Sequence, residues 1–158
     1  MNELDELDIK ILKKLMNNSR YKYTQLAREL GVSEATIRAR IKSLIERGYI
    51  EGFTIVVDPS KLGYEVMARI GIDADVNNIQ SLIDDLKELE EVFLVALSTG
   101  THDVLVDVIV RDLDELKNFL TMKLGKVKGV KNYDVSIIMD IYKRRFTYII
   151  PPRPIEGS

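Results

Sequence analysis

The 158 residues predict an α+β chain of two unlike domains, all-helical at the N-terminus and mixed after it. Two observations carry this expectation. Apolar residues recur at helical spacing through the first fifty positions, with breaks at Asn17, Asn18 and Ser19 and again at Gly31. From Tyr64 onward, period-two strands and amphipathic segments follow in the order strand, helix, strand, strand, helix, strand, which is the ferredoxin-like βαββαβ arrangement.

The first helix rests on Leu4, Leu7, Ile11 and Leu15, joined by Ile9, Leu12 and Met16, with Asp5 as its N-cap. A second, short helix, "TQLAREL", starts at a capping Thr24, turns Leu26, Ala27 and Leu30 inward, and ends at Gly31, a residue suited to left-handed backbone. Ser33 caps a third helix that runs to about Arg47 and stops at Gly48. Its apolar spine is Ile37, Ile41, Leu44 and Ile45.

"YIEGFTIVVD" is rich in aromatic and β-branched residues and ends at Pro59, which predicts a strand-forming linker over 49–63. Beyond it, Val66, Ala68, Ile70, Ile72 and Ala74 alternate with Glu65, Arg69, Asp73 and Asp75, the pattern of a strand with one buried face. Ile79, Leu82, Ile83, Leu86 and Leu89 mark a helix. "VFLVALS" and "DVLVDVIV" then form a hairpin around Gly100. Leu113, Leu116, Leu120 and Leu124 mark the last helix, and "VSIIMDIY" the last strand. In the tail, Phe146, Tyr148 and Ile149 suit a short exposed strand, while three prolines predict disorder over 153–158. The boundaries are therefore 1–48 for the helical domain, 49–63 for the linker, 64–143 for the ferredoxin-like domain and 144–158 for the tail.

Composition narrows the function classes. At 46% hydrophobic residues the chain can bury a core, yet it holds no run of about 18 apolar residues, and its acidic start is unlike a secretory signal. A cytoplasmic protein without a membrane partner is expected. The absence of cysteine excludes disulfides, thiolate metal sites and cysteine catalysis. With a single histidine, no acid/base pair, no phosphate loop and no zinc spacing, neither an enzyme nor a bound cofactor or metal is expected. The net charge of −2 conceals an asymmetry: residues 1–50 carry +3, and Arg20 through Ile50 carry +4. An anionic partner for the helical half fits this distribution.

The helical half has the steric pattern of a DNA-binding helix-turn-helix. Ala27 permits close helix crossing, Gly31 and Val32 make the turn, and Ile37 and Ile41 seat the third helix on Leu26 and Leu30. Ser33, Glu34, Ala35 and Thr36, with Arg38 and Ala39, then meet base edges of double-stranded DNA, while Arg40, Lys42 and Arg47 are placed for phosphates.

Across "LDELDIKILKKLMNNSRYKYTQLARELGVSEATIRARIKSLIERGYIEGF", "VDPSKLG", "STGTHDVLVDVIV" and "VKGVKNYDVSIIMDIYK", the chain resembles the Lrp/AsnC, or feast/famine, transcriptional regulators. The resemblance covers almost the whole length. It implies a helix-turn-helix tied by a strand-forming linker to a regulatory domain that dimerises, stacks into tetramers or octamers, and often binds an amino acid between dimers. Gly100 and Asp103 match the loop glycine and aspartate that help hold the effector in relatives, with Thr101 and His102 between them. The candidate effector site is Gly100, Thr101, His102 and Asp103, with Tyr133 and Val135 nearby. For Asp103 the competing reading is an ordinary turn residue bonding its own backbone. Where relatives carry short hydroxyl residues, this chain has Tyr133, Asp134 and Val135, so Tyr133 either narrows the site, stacks on a larger ligand or packs in the core. An architectural DNA-binding oligomer without a small-molecule effector is the alternative to a ligand-modulated regulator.

Independently of the resemblance, Phe93, Val95 and Leu97 alternate with Leu94 and Ala96, and Leu105 and Ile109 with Val104, Val106 and Val108. Both faces of that hairpin are apolar, whereas two helices cover one face only. A homodimer through the open face, with higher assembly, is expected.

Overall fold

The computed structural model describes residues 4–142, which divide into two compact units at the Val56/Val57 boundary, inside the expected linker. The tail strand expected around Phe146 and the disorder expected over 153–158 lie outside the described residues.

The first unit holds three helices, α1 (Glu6–Asn17), α2 (Tyr23–Leu30) and α3 (Glu34–Glu46). Asp5 caps α1 in a reciprocal box: its Oδ1 accepts from the Asp8 amide at 2.8 Å, and Asp8 Oδ2 accepts from the Asp5 amide. Thr24 is not a cap. Tyr23 packs on the helical core and is drawn into the first turn, so α2 begins at Tyr23, with Lys22 at the N-cap and no side-chain cap, and Thr24 lies within the helix. Gly31 takes a left-handed φ of 70°, and Ser33 caps α3 by accepting from the Thr36 amide at 3.0 Å. Ile11, Leu12, Leu15, Leu26, Ala27, Ile37, Ile41 and Leu44 form the core. Ile45 does not join it and is 46% exposed, because it stands roughly 80° round the helix from Ile37.

The linker forms no strand. Residues 51–58 lie outside any helix or ladder, with Phe53, Ile55, Val56 and Val57 exposed, and only Pro59–Leu62 winds into a 3₁₀ turn. A single strand has no backbone partner here, whatever its β-propensity.

In the second unit, β1 (Val66–Ala74), β2 (Val92–Leu97), β3 (Val104–Val110) and β4 (Val130–Ile138) make one antiparallel sheet in the order β2-β3-β1-β4. Helices α4 (Ile79–Lys87) and α5 (Leu113–Asn118) cover one face, where Leu82, Leu86, Leu116, Phe119 and Leu124 meet Ala68, Ile70, Ile72 and the valines of β3. The last helix departs from its expected spine: Leu113 is exposed, and the chain beyond Asn118 widens into a π turn over Phe119–Lys123 that buries Phe119 instead. The last strand begins earlier than expected, at Val130, because β4 pairs with β1 along its whole length from Ala74↔Val130 to Met67↔Ile138.

Candidate functional site

Within the first unit, α3 is held against α1 by an ion-pair cluster. Asp8 is 1% exposed, and Arg40 Nη1 donates to Asp5 Oδ2 at 2.5 Å and to Asp8 Oδ1 at 3.2 Å. The Asp8 amide, together with the Arg40 guanidinium, holds the Asp5 carboxyl below its ordinary range, and Asp5 raises Arg40 in turn. Arg47 Nη1 lies 3.8 Å from Asp8 Oδ2, and its guanidinium stands 4.7 Å from the Tyr49 ring centre. Two of the three cations expected to face phosphates are thus drawn toward α1.

The outward face of α3 carries Ser33, Ala35, Arg38, Ala39 and Lys42, all exposed, with Glu34 and Thr36 half-buried at its first turn. Arg38 Nη2 donates to Glu34 Oε1 at 2.9 Å, and its guanidinium sits 5.2 Å from the ring centre of Tyr23 on α2. Lys42 lies 3.6 Å from Glu46. The helix therefore displays small side chains, one braced arginine and one lysine, a surface able to enter a groove of DNA. The pairing of Asp5 and Asp8 with Arg40 and the stacking of Tyr23 on Arg38 are not legible from spacing, because each is a contact between helices.

In the second unit, the β2–β3 loop is tied down from within. Gly100 N donates to Ser98 Oγ at 3.1 Å, Ser98 N to the Asp103 carbonyl at 2.9 Å, and Asp103 N to the Ile72 carbonyl at 3.1 Å. The Asp103 carboxylate accepts from the Ala74 amide at 2.8 Å, so it clamps the loop to β1. Thr101 is exposed. His102 lies over Gly71, with Nδ1 2.8 Å from Asp73 Oδ1 and Nε2 3.3 Å from Asp134 Oδ2.

Six residues were expected to share this site, and the sheet divides them. Gly71 pairs with Asp134 and so lies on the open face, whereas Tyr133 and Val135 pair with Ile72 and Ile70 and pack on the helix-covered core. Tyr133 and Val135 therefore do not join His102. Asp73 and Asp134 stand beside it instead, brought there by strand register.

Family models match both units: the AsnC-type helix-turn-helix domain over residues 4–45 and the Lrp/AsnC ligand binding domain over residues 65–148. An HTH-type transcriptional regulator of Pyrococcus furiosus is 41% identical over 89% of this chain and 95% of its own length. The regulator LrpA of Pyrococcus horikoshii is 36% identical over 89% of this chain and 99% of its own. The solved structure of E. coli AsnC superposes with a TM-score of 0.86 at 31% identity, covering 92% of this chain and 99% of that one.

Proposed function

The chain belongs to the Lrp/AsnC family of HTH-type transcriptional regulators, which are not enzymes, and from that premise we propose that it is a sequence-specific DNA-binding regulator modulated by an amino acid or related metabolite. The observation that supports specificity is the outward face of α3, where Arg38 is braced by Glu34 and Tyr23 beside the exposed Ala35 and Ala39, while Arg40 seats the helix on α1. The chain acts in the cytoplasm; among the described residues no helix is long and apolar enough to cross a membrane. It works as a homodimer that assembles further to a tetramer or octamer, since the uncovered sheet face carries Met67, Leu94, Leu105 and Ile109. Two copies then present two α3 helices to half-sites about one helical turn apart, or a multiple of it.

Binding to DNA of graded salt concentration tests the first part. Replacing Lys42 by Ala should reduce the slope of log affinity against log salt by roughly 0.9 on every sequence. Arg40→Ala should weaken binding by loosening α3 on α1, and the same substitution should lower the melting temperature. An unchanged slope for Lys42→Ala removes that residue from the phosphate contacts.

A second reading, an architectural DNA-binding oligomer without an effector, is favoured by two observations: the Asp103 carboxylate is already engaged by the Ala74 amide, and Tyr133 is packed on the core. A thermal-shift screen of the amino acids separates the two. A true effector at a hundred times its dissociation constant adds about 2.7 kcal/mol of stability. Silence across the set, with DNA binding intact, selects the architectural reading.

A further inference from the structure

We infer that Arg38 reads a guanine in the major groove, aimed by Glu34 and Tyr23, and that Ala35 and Ala39 admit α3 closely enough for it to do so. This rests on the DNA-binding reading above and names what that surface recognises. Arg38 has a side chain 66% exposed yet held at two points, by the 2.9 Å hydrogen bond to Glu34 Oε1 and by the Tyr23 ring 5.2 Å away. An exposed arginine ordinarily samples many rotamers, and these two contacts bias it toward one geometry before any ligand arrives.

The chemistry of the fork follows from which atoms are occupied. Glu34 takes a hydrogen bond from Nη2. A guanidinium has five N–H donors in one plane, so a pair remains free to meet the O6 and N7 acceptors of guanine together. A phosphate would suit the same fork, but the Glu34 carboxylate beside it repels a phosphate, whereas it accepts readily from the N4 amine of cytosine. The flanking side chains agree. Ala35, three residues before Arg38, and Ala39, next after it, are both exposed and end in a methyl, so nothing bulky holds the helix away from the base edges. Those methyls also suit contact with a thymine methyl. Lys42, one turn further on and paired loosely with Glu46 at 3.6 Å, has no comparable brace and acts as a point charge for the backbone.

The test is selection of DNA from a random library by the full-length protein at low salt, then affinity measurements with each guanine of the enriched half-site replaced by adenine or by 7-deazaguanine. The unaltered protein should lose about 5- to 150-fold at one guanine, the ratio equivalent to 1–3 kcal/mol for a bidentate pair. Arg38→Ala should bind the guanine and adenine forms of that position equally while keeping its preferences elsewhere. Glu34→Gln, which retains the fold and removes an anion, should bind non-specific DNA more tightly and discriminate less. Tyr23→Leu should likewise lower discrimination, with the salt slope unchanged. If Arg38→Ala weakens all sequences uniformly and reduces the salt slope, Arg38 is a phosphate contact and the inference is overturned while the DNA-binding reading stands. Persistence of the same guanine dependence in Arg38→Ala overturns it equally. Absence of any DNA binding by the unaltered protein at low salt overturns both.

Discussion

The imidazole of His102 lies over the α-carbon of Gly71, so close that a methyl there would stand 2.2 Å from Cδ2 and 2.8 Å from Nε2. Glycine at this position is thus what lets the loop histidine settle on β1 and reach Asp73 and Asp134. Gly71→Ala is expected to push the ring away and break both contacts, at a cost of about 1–3 kcal/mol in unfolding free energy, the usual range for overpacking. Combining it with His102→Ala should recover part of that loss, because the added methyl then meets no ring. Additive losses in denaturant melts of the two single variants and the double would show that the methyl clashes with something else.

Asp5 links the N-cap of α1 to Arg40 on α3, and its carboxyl is held below its ordinary range chiefly by the Asp8 amide and then by Arg40. A depressed folded-state value means that the contribution is complete above the unfolded value, about 3.9, and is lost as pH falls through the lower folded one. Thermal stability followed from pH 5 downward should therefore drop with a component that Asp5→Asn removes. Asparagine still caps a helix, so Asp5→Asn tests the charge, whereas Asp5→Ala should cost about 0.5–2 kcal/mol at neutral pH through the cap alone. An identical acid profile for Asp5→Asn and the parent would place that sensitivity on other carboxylates.

Local sequence made much of this architecture legible. Asp5, Ser33, Gly31 and Gly48 mark helix ends through chemistry that operates within a few residues, and the alternation around Ile70 identifies a half-buried strand without reference to its neighbours. What spacing does not carry is any feature set by a partner element. Thr24 has the chemistry of a cap, yet α2 starts one residue before it at Tyr23, and the β-branched run ending at Val57 makes no strand where no partner is paired with it. The β2–β3 loop shows the same division. Gly100 to Asp103 are contiguous between β2 and β3, but the register of β4 on β1 decides that Asp134 faces His102 while Tyr133 does not. Spacing alone points Arg40 toward phosphates, because its inward partners, Asp5 and Asp8, lie more than thirty residues away.

Asp103 has a structural task that any ligand must share. Its carboxylate accepts from the Ala74 amide at 2.8 Å, and its amide donates to Ile72. Asp103→Ala should therefore lower stability by about 1–3 kcal/mol through an unpaired amide, as well as abolish the proposed response to an amino-acid effector. DNA affinity without effector should stay near the parent's, since the α3 surface belongs to the other unit. Asp103→Asn, which keeps an acceptor oxygen for Ala74, should restore most of the stability without restoring the response. A full response in the asparagine variant would mean that the negative charge contributes nothing to ligand binding.

The open face of the sheet has the composition of an interface. Met67 stands opposite Ile109, and Gly71 opposite Leu105, with Leu94 and Ala96 continuing the apolar surface onto β2. At its centre Arg69 and Asp107 pair through two hydrogen bonds of 2.7 and 2.8 Å, and Asp107 is only 8% exposed in the single chain. That pair is internally neutral, so a second copy covering it need not supply counter-charges for it, although both groups give up remaining hydration; Asp73 and Asp134 beside His102 lie toward the loop end of the same face. Ile109→Asp should convert the proposed dimer to a monomer in sedimentation at micromolar concentration while leaving the fold intact, because Ile109 lies on the uncovered face rather than in the core. Arg69→Ala should act differently: it leaves Asp107 unpaired within each chain, so monomer stability falls along with association, and Asp107→Asn on the same background should restore part of both. A parent protein that already sediments as a monomer, or an Ile109→Asp protein that remains a dimer, would move the interface off this face, and the exposed run through Ile55, Val56 and Val57 would become the surface to examine for strand pairing between copies.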